Sequence, residues 1–310
     1  MYLSARGYLF TIFASIGFGL NTIGIRYYFN SFETGTPENV AFWGMFSSSI
    51  ILLPYFLFYG KARKRIQISV KRDRNIILTV AVLSTIGAYL WMLGLKEMAA
   101  GPLSLFGKSQ VIYSAILGIL FLKERFTLIE FAGMAAALAG IILISQLKGE
   151  VSLTAVIYVL TSAIIYSLQS MLVKKFGKNT FGIEFTYLRA VLMAFFFFVI
   201  FGSLGTLNLI PYTHIILLGG ISLSGLMAGR AFYYEAHKYI SISKLSVGML
   251  FEPVFILIAS YFILNEDLNL QKITGAAIIL LGLWLTAKKN ITFHGMKEFF
   301  RINGLEKKEK

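Results

Sequence analysis

Three cations and a carboxylate sit where an apolar chain should hold none. Lys108 interrupts LSLFGKSQVIYSAILGILFL, residues 103–122, with Gln110 two positions on. Arg230 lies in GLMAGRAFYYEAHK, Arg189 in FTYLRAVL, and Glu252 precedes Pro253 in KLSVGMLFEPVFILIASYF. An ammonium or guanidinium held away from water attracts carboxylate or phosphate. A buried carboxylate attracts an amine or carries a proton, because burial favours its neutral form. Asn21, Ser162 and Gln169 add neutral polar groups, and Trp91, Tyr113 and Tyr166 add ring faces able to hold an apolar or cationic portion of a small molecule.

These groups lie in elements suited to lipid. Of 310 residues, 57% are hydrophobic and 14% charged, and the mean hydropathy is +0.72. Apolar runs near 20 residues recur, each able to cross a core of about 30 Å. Lipid offers the backbone no hydrogen bonds, so such runs are helices or closed barrels, and they lack the polar–apolar alternation of barrel strands. The fold class is therefore all-α: a polytopic membrane protein. Ten spans are expected, near 7–28, 38–59, 76–95, 103–122, 128–146, 152–173, 183–202, 213–235, 245–264 and 270–287, with a basic loop over 60–75 and a basic tail. The first run has no A-x-A-like cleavage site after it and reads as a retained helix rather than a signal peptide.

The net charge of +14 raises the question of nucleic acid, but its placement answers differently. With the amino terminus in the cytoplasm, 22 of the 29 Lys and Arg residues fall in inside segments and four in outside segments. That asymmetry orients both termini toward the cytoplasm and the protein in the cytoplasmic membrane. No nucleic-acid partner is expected. The chain has no Cys, and its three His lack H-E-x-x-H spacing, so neither a metal site nor an enzyme is expected. The absence of a Walker motif argues against ATP, and no cofactor is implied.

The two halves repeat. At an offset of 142, LGLKEMAAGPLS (93–104) aligns with EAHKYISISKLS (235–246), and Glu124, Gly133 and Gly140 align with Glu266, Gly275 and Gly282. NTIGIR (21–26) meets QSMLVK (169–174) at an offset of 148. Five helices per unit is an odd number, so the second unit inserts upside down. The units expected are 1–147 and 148–287, followed by a cytoplasmic tail, 288–310. Inverted repeats place a site near the midplane at their interface.

Each unit resembles an EamA repeat of the drug/metabolite transporter superfamily. The resemblance rests on a helix ending in LFLKERF or YFILNEDL, followed by a Gly-rich helix, EFAGMAAALAGIIL or KITGAAIILLGLWL. It implies ten helices, cytoplasmic termini, and export or exchange of small metabolites, often amino acids. Two positions depart from the pattern. Arg189 matches the family's Arg in the second helix of a unit, whereas the first half has Trp43 there. The proline of the fourth helix, present as Pro253, is replaced near Gln110–Val111. Gating or structural roles are thus expected for Arg189, Pro253 and Trp43.

Several readings stay open for the charged groups. Lys108, about five residues or roughly 8 Å from the outer end of its helix, either snorkels to the interface, faces a central aqueous cavity, or pairs with a buried carboxylate. Glu252 either pairs with Arg230, which lies at matching depth, or binds substrate or a proton. Pro253 leaves the Met249 carbonyl without its helical donor, available to line a site. Glu235 and His237 read as interfacial. The leading expectation is a secondary transporter for a small polar metabolite, an amino acid or derivative, working by alternating access with protons as a coupling partner. Exchange of phosphorylated or S-adenosyl-type metabolites is the alternative, and a channel a more remote one.

Overall fold

The computed structural model describes residues 2–97, 103, 106–124, 127–145, 152–177, 182–264 and 269–288. The described residues are helical, joined by short connections. In order they are α1 (Tyr2–Ser31), α2 (Pro37–Phe58), α3 (Gly60–Glu97), α4 (Gln110–Leu122), α5 (Leu128–Ser145), α6 (Leu153–Phe176) and α7 (Gly182–Ser203). Then come α8 (Tyr212–Ser222), a π-helical stretch (Leu223–Gly229), α9 (Arg230–Ala236), α10 (Ile242–Gly248), α11 (Phe251–Leu264) and α12 (Leu270–Lys288). Among the described residues, seven helical segments are long and apolar enough to span a bilayer, and Gln110–Leu122, Leu128–Ile144 and Leu270–Thr286 are shorter apolar helices. These three occupy the positions of the expected fourth, fifth and tenth spans. The expected tail from residue 289 onward lies outside the described residues, as do Ser104 and Glu266.

Starts and stops follow local chemistry. Thr36 caps α2, accepting from the Asn39 N–H at 3.2 Å, with Pro37 at the first helical position. Ser152 and Ser241 cap α6 and α10 in the same way. Lys123 ends α4 in the left-handed conformation, φ 55°.

The 60–75 segment is a correction to the sequence reading. It is no loop but the first half of α3, a 38-residue helix. Between Lys61 and Ile86 no Gly or Pro interrupts it. Ala62 is buried in a small apolar cluster with Phe56 and Tyr187, and Arg65 reaches Glu184 at 3.6 Å.

Packing exposes the symmetry of the chain. On α5, a Cβ added at Gly133 would meet the Gly282 carbonyl at 2.6 Å; at Gly140 it would meet the Gly275 carbonyl at 2.6 Å. The reverse holds from α12, where Gly275 faces the Gly140 carbonyl at 2.8 Å and Gly282 the Gly133 carbonyl at 2.5 Å. Only glycine permits such backbone approach. The numbering runs upward on one helix and downward on the other, so α5 and α12 are antiparallel. Gly133 is equivalent to Gly275, and Gly140 to Gly282; each therefore touches the equivalent of its neighbour. Such reciprocal contacts are the mark of a two-fold relation. Other pairings obey the same exchange: α1 packs on the π stretch and α9, while α3 packs on α6.

Two expected spans are divided, and a third carries a π stretch within a continuous helix. The fourth has a helical turn at 106–107, a non-helical turn at Lys108–Ser109, and then α4. The eighth contains the π stretch, and the ninth is divided into α10 and α11 at Met249–Leu250. The two divided helices belong to equivalent places in the two repeats.

Candidate functional site

The breaks face each other across a cavity of about 110 Å³. At roughly 10–15 Å³ per water, that is space for several solvent molecules or a small polar group. Lys108, Gln110, Glu252, Arg230, Asn21, Trp91 and Tyr166 all line it. These are seven of the eight binding candidates read from the sequence; Tyr113, half-buried on α4, is not on this wall. Phe18, Thr22, Tyr233, Ser246 and Met249 complete much of the lining. Phe18 had a legible signal: at the offset of 148 it is the equivalent of Tyr166.

Lys108 turns neither to lipid nor to the interface. Its Nζ donates to Glu252 Oε2 at 2.7 Å, joining the break in the first repeat to the break in the second. The side chains retain 14% and 12% of their exposure, so the pair is neither dry nor free in solvent. Glu252 lies in the first turn of α11.

The Glu252–Arg230 pair, one of the two readings open for Glu252, does not form. Arg230 follows the π stretch, whose wider turn shifts the phase of the residues after it. Its guanidinium carbon lies 4.7 Å from the Phe18 ring centroid, 5.1 Å from Tyr166 and 5.4 Å from Tyr233. Rings hold a cation through their negative faces. Among the described residues, no ion pair includes Arg230, and its buried Nε has no hydrogen-bond partner. Asn21 supports this geometry from α1, its side-chain amide donating to the Ile221 carbonyl at 3.0 Å.

A second correction concerns Met249. Its carbonyl is not released by Pro253, because the Glu252 N–H takes it at 3.2 Å in a tighter turn. Pro253 is buried within the first turn of α11, where a missing N–H is tolerated. Outside the cavity wall, Arg189 is 1% exposed and donates to the Leu226 carbonyl at 3.0 Å, anchoring α7 to the π stretch. Trp43 donates from Nε1 to the Asn208 carbonyl at 3.0 Å, tying α2 to the connection before α8.

His237, expected at the interface, is 3% exposed beyond the end of α9. Among the described residues, neither ring nitrogen has a hydrogen-bond partner, and Tyr233 packs edge-on at 4.9 Å. Burial, with the nearby Lys174 and Arg230 charges, pushes its pKa down to about 3. Glu235 accepts from the Gly182 N–H and from Lys238, both at 2.8 Å. Among the described residues, no group of three or more His, Asp or Glu side chains is placed to hold a metal ion.

The wall thus combines one compensated ion pair, one uncompensated guanidinium, amide groups and ring faces. It can hold a small solute bearing a carboxylate and an amine.

The chain matches the model of the EamA-like transporter family twice, over residues 5–146 and 153–288. It is 25% identical over 235 residues to an uncharacterized transporter of Methanothermobacter thermautotrophicus, covering 73% of this chain and 67% of that protein. It is 24% identical over 243 residues to an S-adenosylmethionine uptake transporter of Rickettsia conorii, covering 78% and 79%. A solved protein structure superimposes with a TM-score of 0.72 over 94% of this chain and 99% of that one, at 14% identity, a likeness of fold.

Proposed function

The chain belongs to the EamA-like transporter family, and from that premise we propose that it is a secondary transporter of a small zwitterionic metabolite, an amino acid or derivative. Ten spans, as two inverted five-helix units (1–147 and 148–287), enclose the cavity in the cytoplasmic membrane, with both termini inside. Alternating access rocks one unit against the other. The observation that carries this reading is the meeting of Lys108 from one repeat with Glu252 from the other on a wall shared with Arg230. Charged groups are retained at membrane depth when they serve a solute or ion path. Arg230 takes the carboxylate, Glu252 the amine or a coupling proton, and Gln110, Asn21, Trp91 and Tyr166 shape the remainder. Arg189 and Trp43 hold the helices that move.

An S-adenosyl compound is the second reading. It is favoured by the name of the Rickettsia relative and by Trp91 on the cavity wall. Its amino-acid end carries the same amine and carboxylate, so both readings use one headgroup site.

Counterflow into proteoliposomes separates them. Purified protein is tested with labelled amino acids and labelled S-adenosylmethionine, alongside Glu252→Gln. Saturable counterflow of one class, with altered affinity or pH dependence in Glu252→Gln, is the expected result. Identical kinetics for wild type and Glu252→Gln at every pH would remove Glu252 from the mechanism.

A further inference from the structure

We infer that the Lys108 ammonium is a built-in occupant of the site for the solute's cationic group, and that it lets the empty protein change conformation. This rests on the transporter reading above but not on which solute is carried. The Glu252 carboxylate holds its cation at 2.7 Å, and that cation belongs to the opposite repeat. Lys108 sits at a break in its helix rather than within a regular turn, so its backbone is set by the break and its stem reaches across the cavity. Glu252 lies just beyond the equivalent break, in the first turn of α11. The cavity also contains an uncompensated guanidinium, Arg230, held by three rings. A zwitterion therefore meets a guanidinium without a protein counter-ion among the described residues and a carboxylate that already has one.

Binding is then a displacement. The arriving amine replaces the Lys108 ammonium at Glu252 while the solute's carboxylate sits at Arg230. When the solute leaves, Lys108 returns. Alternating access encloses the cavity and strengthens every uncompensated charge within it. An empty protein with an isolated Glu252 carboxylate would resist closing, because breaking one half of a partly buried pair is far more costly than the pair itself. With Lys108 on Glu252, and the Arg230 charge held against three ring faces, the empty form closes without solute. Lys108 thus makes net transport available where the bare carboxylate would enforce exchange.

The test needs no solute. The chain has no Cys, so spin labels can be placed at will. Pairs at Ser31 and Leu209 report one end of the molecule, and pairs at Lys61 and Lys175 the other; all four residues are exposed. Double electron–electron resonance on the full chain in lipid nanodiscs is expected to give two distance populations for each pair. In Lys108→Met the minor population falls about tenfold or more, since the lost pair biases one state. Lys108→Met combined with Glu252→Gln, which removes both charges, restores it. Ethylammonium added to Lys108→Met, as a small untethered cation, also restores it. Two unchanged populations in Lys108→Met, or no restoration by the double variant or by ethylammonium, overturns the proposal. If Lys108→Met fails to fold, Glu252→Gln alone decides: it leaves Lys108 unpaired beside Arg230 and must lose the minor population by a similar factor. Failure of every counterflow assay would leave these spectra unchanged, so this test and that of the solute class fail separately.

Discussion

Replacing Arg230 with Lys isolates what the planar guanidinium contributes. Charge is retained, so a role as a mere positive point would survive. The structure supplies reasons to expect otherwise. Phe18, Tyr166 and Tyr233 lie 4.7, 5.1 and 5.4 Å from the guanidinium carbon, and the buried Nε has no partner. A guanidinium clamped by rings presents two N–H groups in a fixed fork, matched to a carboxylate, whereas an ammonium offers one flexible point. A hydrogen bond to a charged group is worth about 1.5–3 kcal/mol, so losing one arm of the fork weakens carboxylate binding roughly 10- to 100-fold. The assay is counterflow with the solute found in the proteoliposome screen, run beside its amide analogue, which lacks the negative charge. Arg230→Lys is expected to raise the half-saturation of the acid by that factor and to leave the amide within about threefold of wild type. Equal losses for acid and amide would refute the reasoning, because they would place the effect in folding or gating. An unchanged half-saturation for the acid would refute it more directly.

Two further predictions concern the scaffold. Gly133→Ala places a methyl 2.5 Å from the Thr286 hydroxyl and 2.6 Å from the Gly282 carbonyl, and overpacking of that kind costs about 1–3 kcal/mol. Gly202→Ala, with nothing within 4 Å, is the control; thermal unfolding in detergent should show a loss for the first only, and equal midpoints would contradict the close α5–α12 contact. His237 holds its proton less tightly when folded, at about 3, than an ordinary His near 6.5. The unfolded chain therefore binds the extra proton between those values, and stability falls as pH drops below about 6.5, by about 2 kcal/mol at pH 5. His237→Phe should remove that portion of the acid sensitivity, read as the change in unfolding midpoint between pH 7.5 and pH 5; an unchanged difference would mean that His237 is solvated.

Much of the site was legible because lipid makes polarity conspicuous. Lys108, Gln110, Arg230 and Glu252 stand out of apolar runs, and helical spacing alone places them at membrane depth. The repeat was legible from Gly133, Gly140, Gly275 and Gly282, whose close contacts need glycine. The charge pairing was not. Depth along a helix axis says nothing about rotation, and a π stretch changes rotation without altering hydropathy. Depth alone leaves pairing with Glu252 open as one reading of Arg230, whereas its phase delivers it to Phe18, Tyr166 and Tyr233. The break before α11 had a signal in Pro253, since a proline marks the first turn of a helix as readily as a kink. The break at Lys108–Ser109 had a weaker one. Gly107 leaves room for Trp91, whose ring would lie 2.5 Å from an added Cβ, and no proline follows. His237 lies at a helix end, but its burial had no signal, because its neighbours in sequence are polar while its neighbours in space are rings.

The scaffold and the cavity obey different rules. Contacts that set helix positions respect the two-fold exchange: Gly133 with Gly282 and Gly140 with Gly275. In an inverted repeat, exchanging the conformations of the two units turns a cavity open to one side into one open to the other. If the two units alternate as proposed, symmetric packing favours neither state strongly, and a few kcal/mol from side chains suffice to choose between them. The cavity side chains are where symmetry is lost. Glu252 is equivalent to Gln110, Tyr166 to Phe18, and Lys108 to Leu250, a position with no charge. On the proposed transport reading, the Lys108–Glu252 ion pair of the cavity wall therefore bears on the energy difference between two nearly equal states rather than on the stability of either.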